Sequence, residues 1–155
     1  MKKEINYVLG FAFELNRNFV ALIEKNRPEF QKGKINGIGG KIEDADFFKA
    51  ATGPFTTPQI AMVREFTEET GKRTKPNDWD YFATMTFEND ILGGRAVVHC
   101  LRAFLPTIRD IETTTDEKVN VYGLPLLNHY QLSPNLKMLI EIALNKDVKK
   151  VNLFL

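Results

Sequence analysis

Apolar and polar positions lay out most of this chain before any chemistry is considered. INYVLGFAFEL (5–15) and NFVALIEK (18–25) are apolar, partly alternating runs parted by Asn16-Arg17, which predicts a β-hairpin. WDYFATMTFE (79–88) and RAVVHCLRAFL (95–105) predict two further strands, joined by a turn around Asn89-Asp90 and Gly93-Gly94. EKVNVYGLPL (117–126) is another strand candidate, ending near Pro125. Helical spacing occurs twice. Residues 134–145, PNLKMLIEIALN, place Leu136, Leu139, Ile140, Ile142 and Ala143 on an apolar side, with Ser133 as cap and Pro134 at the first helical position. The other helix runs from Pro58 to about Thr70, with Thr57 as its capping hydroxyl and Gly71 as its stop. Residues 26–41 read as a glycine-bearing loop, and 43–56 show no clean period, so they are expected to form an excursion. Strands interrupted by one middle helix and closed by another imply an α/β (α+β) domain with α/β/α layering.

Length and composition add mainly exclusions. At 155 residues the chain is expected to form one domain over 1–155 with its own core. Lys+Arg is 21 against Asp+Glu 20, so no global field recruits double-stranded nucleic acid or an acidic membrane. No apolar run approaches the roughly 18 residues that span a bilayer. The lone Cys100 fits a reducing cytoplasm and cannot support a Cys/His zinc site with the distant His99 and His129. Ser133 is the only serine, and no GxxxxGK[ST] phosphate loop occurs. Carboxylate chemistry is what remains.

The carboxylates concentrate in VREFTEETGK (63–72). At about 100° per residue, with Glu65 as zero, Glu68 falls near about −60° and Glu69 near about +40°. Ile60, Val63, Phe66, Thr67 and Thr70 fall between about 100° and 220°, which predicts that this side docks on the sheet and that Glu65, Glu68 and Glu69 share the opposite, outer side. Like charges at i,i+3 and i,i+4 repel by a few tenths of a kcal/mol each. Glu68 and Glu69 also lie at the end of the helix where its dipole disfavours anions by roughly 0.3–1 kcal/mol. A solvated, salt-bridged face is the simplest use for such a cluster. A divalent cation, however, would reverse the sign of every one of these terms, and hard oxygen ligands suit Mg²⁺ or Mn²⁺.

GGKIE (39–43) followed by REFTEETG (64–71) resembles the Nudix box, in which a glycine, five residues, a glutamate and seven residues precede R-E-apolar-x-E-E-x-G. Every specified position from Arg64 through Gly71 matches. Gly40 to Arg64 spans 24 positions where the pattern has 14, so ten residues are extra, within an insertion at about 44–56. The isolated box glutamate is missing: counting from Gly40 reaches Asp46, and counting back from Arg64 reaches Thr56. The final box position, usually apolar, is Lys72.

The resemblance implies a Nudix-like α/β/α sandwich with a mixed sheet, a central catalytic helix and a C-terminal helix. It implies hydrolysis of a nucleoside diphosphate linked to another group, with Mg²⁺ or Mn²⁺ as cofactor. Glu68 and Glu69 would be metal ligands, with the Gly39 carbonyl. Glu65 would deprotonate or orient the attacking water, or bind a further metal, and Arg64 would hold its rotamer. A later carboxylate, Glu117 before Asp116 or Glu112, would complete the set. Asn36 in KINGIGGK (34–41) is similar to a base-contacting asparagine of the oxidised-purine triphosphatases, although a turn residue is the plainer reading. Gly40, Lys41 and Arg27 are the remaining substrate-binding candidates. Markers of ADP-ribose, dinucleoside polyphosphate and NADH specificity are missing, which leaves a nucleoside triphosphate, with an oxidised purine among the options. ADP-ribose, NAD, FAD and dinucleoside polyphosphates are the alternatives within the family. A catalytically weak nucleotide-binding regulatory module is the alternative of another class. Phe47, Phe48 and Phe55 make the insertion a lid, a homodimer contact or a plain surface loop.

Overall fold

In the computed structural model, which describes residues 3–89 and 93–155, eight strands form one mixed sheet. The centre is β1 (Lys3–Glu14), buried along its second half. It pairs antiparallel with β2 (Phe19–Glu24), Ala12 opposite Ala21, as the hairpin pattern predicts, with Arg17 at φ 61° in the turn. On its other side β1 runs parallel to β6 (Gly94–Leu105), from Lys3 beside Gly94 to Glu14 beside Leu105. The antiparallel strand β5 (Asp80–Asn89) follows, and residues 90–92 of the intervening turn lie outside the described residues.

Four elements escape a reading of the sequence pattern. The stretch read as loop contains β3 (Ile35–Asn36) and β4 (Ile38–Lys41), which pair with β2 and β1. Their register is set by partners remote in sequence, so local pattern is silent. The stretch read as an excursion contains helix α1 (Asp44–Ala51), and the Asp46 carboxylate accepts the Glu43 backbone N–H at 2.9 Å as a capping bond. The last strand, β8 (Val151–Phe154), is short and runs parallel to β5 at the sheet edge. The strand expected at 117–126 is β7 (Val119–Gly123), paired with β2 and followed by a 3₁₀ segment at Leu124–His129.

The layers follow from strand alternation. Leu9, Phe11 and Phe13 of β1 point toward helix α3 (Leu136–Leu144), whose Leu136, Leu139, Ile140 and Ala143 complete that half of the core. Val8 and Ala12 point the other way, toward helix α2 (Thr57–Thr70), with Met62, Phe66 and Trp79. The result is an α/β/α sandwich with a mixed sheet. Buried Arg102 of β6 ties the α3 side together: it donates to the carbonyls of Ala143 (3.1 Å), Asn145 (2.9 Å) and Val148 (2.8 Å). Ala143 lies in the last turn of α3, whose final carbonyls lack intrahelical partners, Asn145 is its C-cap and Val148 lies just beyond, and a cation suits that end of the dipole.

Both helix starts shift from their expected residues. Thr56, not Thr57, caps α2, accepting from the Gln59 N–H, while Gln59 Oε1 accepts the Thr56 N–H at 3.1 Å. Ser133 does not cap α3 with its side chain: the helix starts at Leu136 after Asn135 at φ 70°. Gly71 ends α2 in the left-handed region, at φ 72°, as its position implies. Among the described residues no helix is long and apolar enough to cross a membrane. Burial pushes the Cys100 thiol up to about 12, which leaves it inert as a nucleophile.

Candidate active site

The acidic helix docks differently from its hydrophobic pattern. Its buried residues are Ala61, Met62, Glu65, Phe66 and Thr70, whereas Ile60, Val63 and Thr67 are only half-buried. The docking face is therefore rotated toward Glu65, which lies against the sheet at 7% exposure instead of on the outer side. β4 explains how. A Cβ added at Gly40 would collide with the Glu65 carboxylate, and one at Gly39 with the Val8 carbonyl of β1. Only glycine backbone is slim enough for the strand and the carboxylate to occupy this space. The displaced residues Ile60, Val63 and Thr67 line a shallow groove with Lys49 of α1.

Arg64 organises the charges. Its Nε and Nη2 donate to the two oxygens of Asp46 at 3.0 and 2.8 Å, a fork that fixes the guanidinium plane. Nη1 reaches Glu65 Oε1 at 3.0 Å and Glu68 at 3.3 Å, and Nη2 also donates to the Lys41 carbonyl at 3.1 Å. Asp46 is 1% exposed. The hydrogen bonds it donates to Asp46, above all, hold the guanidinium protonated against burial. The Asp46 carboxyl is itself lowered: burial pushes it up, and the bonds from Arg64 and the Glu43 backbone outweigh that. The residue counted from Gly40 thus braces the arginine.

Burial raises the Glu65 carboxyl, Arg64 opposes the shift, and the charges of Glu68 and Glu69 add to it. Burial raises Glu69 too, opposed by a bond from Thr115 Oγ1 at 2.9 Å and reinforced by repulsion from Glu117. The Thr114 hydroxyl donates to the Glu68 carbonyl, so the 113–117 loop clasps the end of α2. Glu117, 5% exposed, accepts from Lys25 Nζ at 3.0 Å and the Asn26 N–H at 2.7 Å. Thr115 and Lys25 carry no signal in the sequence, since their partners lie 46 and 92 residues away.

The donor chemistry suits a hard divalent cation: carboxylates only, two of them raised by burial and mutual repulsion. The side chains are not converged on one. Among the described residues no group of three or more His, Cys, Asp or Glu side chains is placed as it would be around an ion. Glu65, Glu69 and Glu117 are held by Arg64, Thr115 and Lys25 instead.

A cavity of about 770 Å³ opens on the α3 side, with Gly39, Gly40 and Lys25 at the edge nearest the acids. Asn36 lines it and accepts the Gly37 N–H with its Oδ1 at 2.8 Å, which leaves its NH₂ to donate. Lys41 is exposed and meets the site through its carbonyl. Arg27 is exposed too, forked onto Asp116 at 3.0 and 2.8 Å, and does not line the cavity. Glu112 donates its N–H to the Thr70 carbonyl. Phe47 and Phe48 of α1 are exposed.

No family model matches the sequence, and neither does any curated protein. Solved structures do match. The Nudix domain of Shewanella oneidensis NrtR, complexed with ADP ribose, superposes with a TM-score of 0.72 at 18% identity, covering 94% of this chain and 90% of that one. A bifunctional NMN adenylyltransferase/ADP ribose pyrophosphatase from Francisella tularensis, complexed with AMP and a manganese ion, gives 0.71 at 15% identity, over 94% of this chain and 42% of that one. A MutT Nudix hydrolase from Burkholderia pseudomallei gives 0.66 at 16% identity, over 90% and 98%. The chain has the Nudix fold.

Proposed function

We propose that the chain is a divalent-cation-dependent pyrophosphohydrolase of the Nudix type, acting on a nucleoside diphosphate linked to another group. A nucleoside triphosphate is the leading substrate, converted to monophosphate and pyrophosphate. The observation that carries this reading is Glu65 buried against Gly40, with its charge disfavoured by desolvation, inside an intact REFTEETG octet on this fold. An anion placed there at a cost in stability needs a use.

Glu68, Glu69 and the Gly39 carbonyl would hold Mg²⁺ or Mn²⁺, with Glu117 joining if it leaves Lys25. When bound, such an ion neutralises a diphosphate and activates the attacking water. The chain's own residues supply the rest. Glu65, with its carboxyl shifted toward neutrality, is matched to accept the proton of that water. Arg64 fixes the Glu65 rotamer, and Asp46 fixes Arg64. Gly40 keeps the strand clear of the carboxylate. Asn36 and Lys25 line the route to the organic part of the substrate. Phosphoryl transfer needs mostly such positioning and charge compensation, with little covalent work by the protein.

A panel of normal and oxidised dNTPs, ADP-ribose, NAD, FAD and dinucleoside polyphosphates, each with Mg²⁺, tests the reading, and ¹⁸O-labelled water locates the attacked phosphorus. Full Mg²⁺-dependent turnover by a folded Glu68→Gln protein removes Glu68 from the ligand set. A second reading is a nucleotide-binding regulatory module. It is favoured by the engagement of Glu65, Glu69 and Glu117 with neighbouring side chains and by the missing box glutamate. Tight nucleotide binding with no product at any Mg²⁺ or Mn²⁺ concentration would establish it.

A further inference from the structure

The side chains that hold Glu65, Glu69 and Glu117 differ in whether they can let go. Arg64, on Glu65, is itself locked by its fork onto Asp46. Thr115, on Glu69, is neutral and belongs to the loop that clasps the end of α2. Lys25 combines a positive charge with a side chain tethered only by the carboxylate: among the described residues its Nζ donates to Glu117 Oε1, at 3.0 Å, and to no other partner. Its backbone is tied down, the N–H donating to the Lys34 carbonyl at 2.9 Å and the carbonyl accepting the Gly33 N–H at 2.7 Å. That fixes Lys25 at the end of β2 and leaves its flexible stem free to swing.

Glu117 is arranged for a change of partner. Its Oε2 accepts the Asn26 N–H at 2.7 Å, so the carboxylate stays in place when the partner of Oε1 changes. At 5% exposure it does not stand alone, because a buried charge stripped of its counter-ion is strongly destabilising. Glu69 feels the same pair, repelled by the charge of Glu117 and eased by that of Lys25. A positive charge is therefore required at this spot, and in this structure the ammonium supplies it. An exit is open as well. The Lys25 side chain is 23% exposed and lines the cavity beside α3, whose described lining residues include no Asp or Glu to capture it.

We propose that Lys25 is a resident counter-ion at Glu117 that yields its place to the divalent cation, so that this exchange sets the metal concentration at which the site fills. This rests on the hydrolase reading for its cation but is tested without turnover. Mn²⁺ is titrated into nucleotide-free protein, with free Mn²⁺ followed by EPR and the protein by thermal melts. Lys25→Met should bind Mn²⁺ at least about tenfold more tightly than the parent, the value of one hydrogen bond between charged groups. Its melting temperature should fall without metal and recover at saturating Mn²⁺. In a Glu117→Gln background the same substitution should change Mn²⁺ affinity less than about threefold, because no charge pair is left to break. On the parent itself, Mg²⁺ should speed acetic anhydride labelling of Lys25 several-fold, read by mass spectrometry, and leave the exposed Lys137 of α3 unchanged. Equal Mn²⁺ affinity of the parent and Lys25→Met, the full gain persisting beside Glu117→Gln, or unchanged labelling of Lys25 would each overturn the proposal. If Lys25→Met does not fold, the labelling decides alone. Absence of Mn²⁺ binding in every protein overturns the proposal and the metal-dependent reading together. Binding that ignores Lys25 overturns the exchange alone, and exchange without turnover of any nucleotide overturns the hydrolase reading alone.

Discussion

Helices α2 and α3 flank the same sheet, yet only α3 lies as its hydrophobic pattern dictates. Four of the five apolar residues assigned to its inner side are buried, and the fifth, Ile142, is partly so. On α2 the apolar residues Ile60 and Val63 are only half-buried, and Glu65 takes an inner position. Periodicity reports where burial is driven by apolar area, because each buried side chain contributes about 1.5–3 kcal/mol toward one orientation. It fails where a helix is rotated to put a charge against backbone. Arg64, Asp46 and two glycines of β4 make that rotation tolerable. On the proposed function, a helix that disobeys its own pattern is where stability is given up for chemistry.

The largest effect that can break this contrast is catalytic. On the proposed function, Glu65→Gln should lower kcat about 10²–10⁴-fold while the melting temperature holds or rises, since a desolvated anion is replaced by a neutral isostere. Steady-state hydrolysis and a thermal melt on one preparation check both halves. A kcat within about tenfold of the original, or a clearly lower melting temperature, would place Glu65 among ordinary structural residues.

Stability should show the reverse order. Leu139→Ala on α3 is expected to cost about 2–5 kcal/mol, as deletion of a fully packed leucine does. Val63→Ala, on the face of α2 that pattern alone assigns to the core, should cost less than about 1 kcal/mol. Urea denaturation of the two variants compares them, and similar losses would mean that α2 docks through its hydrophobic stripe after all.

The smallest effect is in pH dependence, where the two buried acids of the site carry opposite signs. Asp46 has its folded carboxyl below its unfolded value of 3.8, so its stabilisation is present above that pH and is lost as pH falls through the folded value. Glu65 has its folded carboxyl above its unfolded value of 4.5, so stability is lost as pH rises from there through the folded value. The advantage of Glu65→Gln over the parent protein should therefore grow between about pH 4 and pH 7, while the deficit of Asp46→Asn should shrink below about pH 4. Denaturation midpoints across that range decide it. Parallel pH curves for the parent and both variants would remove the distinction.

The candidate site divides along the same line. REFTEETG was legible because helical spacing turns a contiguous string into a face, and its glycine stop is local. The brace between Asp46 and Arg64 was open only as a count from Gly40, since it depends on α1 folding back over 18 residues. The grip of Lys25 on Glu117 and of Thr115 on Glu69 could not be read at all, because residues distant in the chain meet only once the sheet has formed.

By itself, then, the sequence determined the hairpin, the long strands, both major helices, the glycine stop of α2 and the acidic octet, all governed by interactions within a few residues. Tertiary structure alone decided the pairing of β3, β4 and β8, the rotation of α2 and the meeting of Lys25 with Glu117. Each of these depends on which surface arrives opposite, and sheet register and desolvation act between segments that the order of residues does not bring together.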